Sequence, residues 1–182
     1  HLQTIAGLSE DGGESKVHEY VQQLMEMPAM KPAVNYCSQP VLNVIMGQYQ
    51  AICKKKNIQF GVDIRKDSVD YITVDDLTAL FGNLLKNAVE AAAGVPEAYI
   101  DVAVNYNYKS KQTFISVENS VLHSPVFDGN RRLISQKKGG GLHGVGIKSI
   151  QCAAEHYQGE ISYHYDKEAK CFHMMVLLTN NK

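Results

Sequence analysis

The chain predicts an α+β fold, and three observations carry that expectation. The stretch Leu77 to Ala93, LTALFGNLLKNAVEAAA, returns its apolar residues at the period of an amphipathic helix. Two pairs of runs rich in β-branched and aromatic residues, Ala98 to Tyr106 with Thr113 to Glu118 and Glu160 to Tyr165 with Cys171 to Leu178, read as hairpins. A helical lead-in before a single strand at Ile58 to Ile64 completes the mixture.

Taken in order, His1 to Leu8 reads as the tail of a helix, stopped by Ser9 to Gly13. From Glu14 to Met27, Val17, Tyr20, Val21, Leu24 and Met25 recur at helical spacing until Pro28 and Pro32 end the element. The next helix begins at Gln39 or Pro40, since proline is tolerated in a first turn, and runs through Val41, Leu42, Ile45, Met46, Tyr49, Ile52 and Cys53. Lys54, Lys55 and Lys56 then suit the negative end of the helix macrodipole. Asn57 ends it, and the strand follows. Asp67 to Asp75 carries turn residues, and Thr73 with Asp76 resembles a capping box for the helix at Leu77. Gly94 and Pro96 close that helix. Between Asn119 and Gly141 periodicity vanishes, which reads as a long loop of the lid kind. After Gly144 to Gly146 a last helix takes Ile147, Ile150, Ala153, Ala154 and Tyr157, with Gly159 as its cap.

Composition narrows the class. With 182 residues and 45% hydrophobic content, one domain with an appendage fits. A formal charge of -1 offers no electrostatic case for nucleic-acid binding. Cys37, Cys53, Cys152 and Cys171 form no CxxC pair, against both a zinc site and a disulfide framework. The remaining histidines, such as His18, His123, His156, His164 and His173, share no ligand spacing. No run approaches the roughly 20 apolar residues of a membrane span. The opening HLQTIAGL reads as mid-helix without a methionine, so a piece cut from a longer, cytoplasmic region is expected.

Chemistry concentrates in two places. On the helix at Leu77 to Ala93, a rotation of roughly 100° per residue gathers Leu77, Leu80, Phe81, Leu84, Leu85, Ala88 and Ala92 on a core face. The same rotation sets Asn83, Asn87 and Glu90 on a separate narrow strip. Asparagine is a poor helix interior residue, so two of them one turn apart call for a reason. Amide and carboxylate oxygens suit a hard cation such as magnesium, which takes few protein ligands and completes its shell with water and phosphate. An exposed polar face is the plain alternative. The second place is ISQKKGGGLHGVGIKSI, Ile134 to Ile150, where cations, glycines and a helix start succeed one another. Glycines let backbone N–H groups approach a phosphate, and a helix start presents unpaired donors. Together these are two halves of a magnesium nucleotide site.

The motif NLLKNA, Asn83 to Ala88, resembles the asparagine box of the GHKL ATP-binding domain of sensor histidine kinases, and HGVGI, His143 to Ile147, resembles its last glycine box. The phrases NLLKNAVEAA, ISVENS and HGVGIKSIQ are similar to the peptide quorum-sensing kinases of the AgrC type. In that subfamily the helix bearing the phosphorylated histidine reads roughly HDxxNHLQ, so His1 of HLQTIAG would be its later histidine and the acceptor would lie upstream.

The resemblance implies a Bergerat fold, a two-layer sandwich whose mixed sheet is covered on one face by helices, with residues 58–182 as the ATP-binding domain and 1–57 as the C-terminal part of a helical dimerisation region. It implies ATP and magnesium as ligands, a homodimer through the N-terminal helices, a response regulator as partner, and a membrane anchor outside this stretch. Asn87 would ligate the magnesium, with Asn83 lining the phosphates or the metal shell. Glu90 would line the nucleotide cavity or face solvent. His143, Gly144 and Gly146 would form the phosphate turn, with Lys137 and Lys138 neutralising charge from the lid.

Two departures refine the expectation. Most of the family accepts the adenine amino group with an Asp in a DxGxG stretch, whereas VENS leaves Asn119 to do so through its side-chain oxygen. A neutral acceptor makes a weaker bond than a charged one, so weak ATP affinity is expected. Related hydrolases place a Glu one turn before the metal-binding Asn to activate water, and Asn83 stands there instead. An amide cannot take that proton, which favours phosphoryl transfer to a presented histidine over hydrolysis. A regulatory nucleotide-binding scaffold and a serine kinase of the anti-sigma type are the alternatives.

Overall fold

The computed structural model describes residues 34–127, 133–134 and 145–181. Helix α1 spans Pro40–Lys55, with Gln39 at its N-cap and proline in its first turn. Lys54 and Lys55 lie in its last turn, and Asn57 turns the chain with a left-handed φ of 56°. In the first turn of α1, the buried Asn43 closes the loop that leads into the helix: its Oδ1 accepts from the N–H groups of Tyr36 and Cys37 at 2.8 and 3.1 Å, and its Nδ2 donates to the Cys37 carbonyl. Strand β1, Gln59–Ile64, follows.

Helix α2, Val74–Ala92, starts where Thr73 Oγ1 accepts from the Asp76 N–H. All seven residues expected on its core face are buried, and Val89 joins them. Strands β2, Tyr99–Asn107, and β3, Gln112–Ser120, form the first hairpin in antiparallel register. The short strands β4, Val126–Phe127, and β5, Leu133–Ile134, pair in a small ribbon inside the stretch read as loop. Helix α3 is Val145–Glu155, and β6, Glu160–Asp166, pairs with β7, Cys171–Thr179, as the second hairpin.

The strands assemble as β1-β2-β3-β7-β6. The β1 and β2 pair is parallel and joined over the sheet by α2, while the other pairs are antiparallel, so the sheet is mixed. Helices pack on one face, giving the expected α+β sandwich. One core joins Leu42 and Met46 of α1, Leu80, Phe81 and Leu85 of α2, Ile150 of α3, and Ile100, Ile115 and Leu178 of the sheet. Packing is therefore continuous across residue 57. Among the described residues no helix is long and apolar enough to cross a membrane.

Candidate functional site

The polar strip of α2 lies at the edge of the core rather than inside it. Asn83 and Asn87 are half-buried and Glu90 is exposed. Asn83 donates Nδ2 to the Ala79 carbonyl one turn earlier at 2.8 Å, the back-bonding open to a short amide in a helix. This leaves Oδ1 to face outward, and what it faces is the first turn of α3. A Cβ placed on Gly146 would stand 3.1 Å from Asn83 Oδ1 and 3.7 Å from its Cγ. The asparagine strip and the end of the glycine turn, some sixty residues apart in sequence, are in contact.

Beneath α2, Tyr49 of α1 donates its hydroxyl to the Gly82 carbonyl at 3.0 Å. Burial, with the charge of nearby Glu90 adding to it, pushes the Tyr49 phenol up to about 12. Glu90 thus acts electrostatically on α1, and its carboxylate is exposed rather than enclosed.

Asn119 is 3% exposed, near the end of β3. Its Nδ2 donates to the Ser120 carbonyl at 2.8 Å, which leaves Oδ1 as the accepting atom of the amide. Just beyond, the Leu122 N–H donates to the Ala91 carbonyl at 3.3 Å, tying the strand exit to the last turn of α2. Across the ladder, Asn119 stands opposite Phe172 of β7. Phe172 stacks on Tyr163 at 6.3 Å, and Tyr163 on Phe127 at 5.5 Å with ring planes 16° apart. This aromatic row beside Asn119 was not singled out from the sequence. Its signal was present in the alternating Tyr163 and Tyr165 of β6, but only the register reveals the neighbour.

Lys137, Lys138, His143 and Gly144 lie outside the described residues. Among the described residues no three His, Cys, Asp or Glu side chains converge as a metal site. A cation here would rest on amide oxygens and on a ligand's own phosphates, the sparse shell magnesium accepts. Asn83 and Asn87 fit that demand, since both carry neutral, hard oxygens, and Asn83 stands beside the start of α3. The opposite face of the sheet carries a groove lined by Gln59, Phe60, Gly61, Glu97, Tyr99, Asp101 and Glu118. Its three carboxylates would repel a polyphosphate, so it is not the second half of this site.

A family model described as the GHKL domain matches residues 72–178, more than half of the chain. The chain belongs to the GHKL family. Solved structures extend the likeness in fold. The catalytic domain of the histidine kinase ThkA is 16% identical with a TM-score of 0.57, covering 76% of this chain and 90% of that one. The histidine kinase domain of the blue-light activated kinase EL346 from Erythrobacter litoralis is 13% identical with a TM-score of 0.57, covering 98% and 87%. Full-length ShkA, in complex with AMPPNP, is 12% identical with a TM-score of 0.57, covering 97% of this chain and 38% of its own. Among curated proteins none matches. The GHKL assignment rests on the family match, and these likenesses add that its sandwich is the fold of histidine kinase catalytic domains.

Proposed function

We propose that this GHKL chain is the ATP-binding catalytic unit of a two-component sensor histidine kinase, transferring the γ-phosphoryl of Mg-ATP to a histidine upstream of His1. One observation carries the reading: Gly146, at the end of the glycine turn, lies against Asn83 Oδ1. Asn87, with Asn83, holds the metal and phosphates through amide oxygens, and the α3 start offers backbone N–H groups to the phosphate chain. Asn119 accepts from the adenine amino group, with the Phe172 row beside it. Lys137 and Lys138 neutralise the phosphates from the lid, and His143 and Gly144 belong to the turn. Magnesium, when bound, supplies charge neutralisation to the transferring group. With Asn83 where a general base would stand, water is not activated, and positioning directs the phosphoryl to the presented imidazole.

In this reading residues 1–57 are the C-terminal part of the helical dimerisation region and 58–182 the ATP-binding domain, with α1 packed into the core it shares with α2. The N-terminal helices form the homodimer, a response regulator receives the phosphoryl group, and a membrane anchor outside this stretch holds the sensor at the cytoplasmic face. The phrases NLLKNAVEAA and HGVGIKSIQ support a kinase of the AgrC-like quorum-sensing type. The neutral Asn119 amide favours one rival, a weakly binding regulatory scaffold.

Titration of Mg-ATP into the folded chain should give saturable, magnesium-dependent binding that Asn87→Ala weakens by at least about tenfold, the usual loss on removing a metal-shell contact. A supplied dimerisation helix bearing its histidine should then become phosphorylated. Binding without transfer supports the scaffold, phosphoserine on a partner supports an anti-sigma type kinase, and no uptake of nucleotide refutes the whole assignment.

A further inference from the structure

Asp76 sits in the first turn of α2, 9% exposed, as the expected partner of Thr73 in a capping box. The reciprocal half of that box is not made. The Thr73 N–H donates instead to the Tyr157 hydroxyl at 2.9 Å, and the Asp76 carboxylate is turned toward the end of α3. Its Oδ2 accepts from Tyr157 Oη and Thr73 Oγ1, each at 2.8 Å, and its Oδ1 lies 2.9 Å from His156 Nδ1.

Helices α2 and α3 therefore meet at two points, Asn83 against Gly146 and Asp76 against the residues just past α3. Between these points the contact is made by Ile150, Ala153 and Ala154, all buried. Apolar burial by itself is non-directional. Hydrogen bonds to a carboxylate are directional and strong. On the other side, the Thr179 N–H holds the Tyr157 carbonyl at 2.9 Å, so β7 fixes the height of that end over the sheet and Asp76 fixes it along α2.

We propose that Asp76 is a positioning residue for the phosphate end of the nucleotide site, which by gripping His156 and Tyr157 sets the α3 start, and so Gly146, opposite Asn83. This deepens the function proposed above and rests on it. The carboxylate touches no ligand. It acts through a rigid helix of 11 residues.

The test compares Asp76→Ala, Asp76→Asn and Tyr157→Phe with Asn43→Ala, which breaks the entry loop of α1 without touching α3. Each folded protein is titrated with Mg-ATP and with adenosine, and amide hydrogen exchange is followed at residues 146–149. Asp76→Ala is expected to lower Mg-ATP affinity by about tenfold, the scale on which outer-shell partners act. Adenosine binding should stay unchanged, and exchange at 146–149 should be faster than in Asn43→Ala. Asp76→Asn, which keeps one accepting oxygen, should fall between wild type and alanine. If both ligands weaken together, as in Asn43→Ala, Asp76 is a structural residue only and the proposal fails. If wild type binds neither ligand, the function proposed above fails by itself, and unchanged exchange at 146–149 in Asp76→Ala would then overturn the positioning role as well.

Discussion

Two glycines at opposite ends of α3 show how differently the same residue can be required. At Gly146 the nearest atoms an added Cβ meets belong to the Asn83 side chain, at 3.1 Å from Oδ1, and a side chain can swing aside. At Gly159 it would meet two backbone carbonyls, Leu177 of β7 at 2.5 Å and Ala154 of α3 at 2.8 Å, which move only if the hairpin or the helix moves. Gly146→Ala is therefore expected to change stability by less than about 0.5 kcal/mol while displacing Asn83 and weakening Mg-ATP binding. Gly159→Ala should cost about 2–3 kcal/mol in urea melts through overpacking. Sequence reading found both positions, but for Gly159 the reason differs from a left-handed cap. The left-handed residue is Gln158, with φ at 49°, and Gly159 is needed for close approach. A glycine letter alone does not distinguish these cases, because an obstructing atom comes from β7, which the local sequence does not show.

The two hairpins are built to one plan. Asn107 Oδ1 accepts from the N–H groups of Lys109 and Ser110, and Asp166 Oδ1 accepts from those of Glu168 and Ala169. Each loop then ends on a lysine at positive φ, 53° at Lys111 and 50° at Lys170. Bonds from the Ala169 and Glu168 N–H groups hold the Asp166 carboxyl below its ordinary value. A lowered carboxyl stabilises the fold above its unfolded value of about 3.9, and that contribution is lost as pH falls through the folded value. Asp166→Asn, which titrates no proton, should make the acid limb of urea midpoints shallower below about pH 4. The strands of both hairpins were readable from alternation and turn chemistry. The row from Asn119 to Phe172, Tyr163 and Phe127 was not, because it depends on which strands become neighbours. Asp76 was misread in one respect for the same reason: local spacing pointed to Thr73, whereas His156 and Tyr157 arrive from eighty residues away.

For the molecule as a whole, α1 is built into the core that α2, α3 and the sheet share. Six of its side chains, Val41, Leu42, Ile45, Met46, Tyr49 and Cys53, lie in the common core. Burying each apolar side chain stabilises by about 1.5–3 kcal/mol. Their sum rivals the roughly 5–15 kcal/mol by which a domain is stable. A fragment of residues 58–182 is expected to lack the cooperative thermal transition that the full chain shows in calorimetry. The mixed sheet carries a further consequence. Because β1 and β2 run the same way, α2 is the strap between parallel neighbours, and most of its circumference is committed to the core. In the proposed site, variation in ligand preference along α2 is thereby limited to the few side chains left outside the core, Asn83, Lys86, Asn87 and Glu90 among them, and a descendant seeking new chemistry must find it there or in the loops.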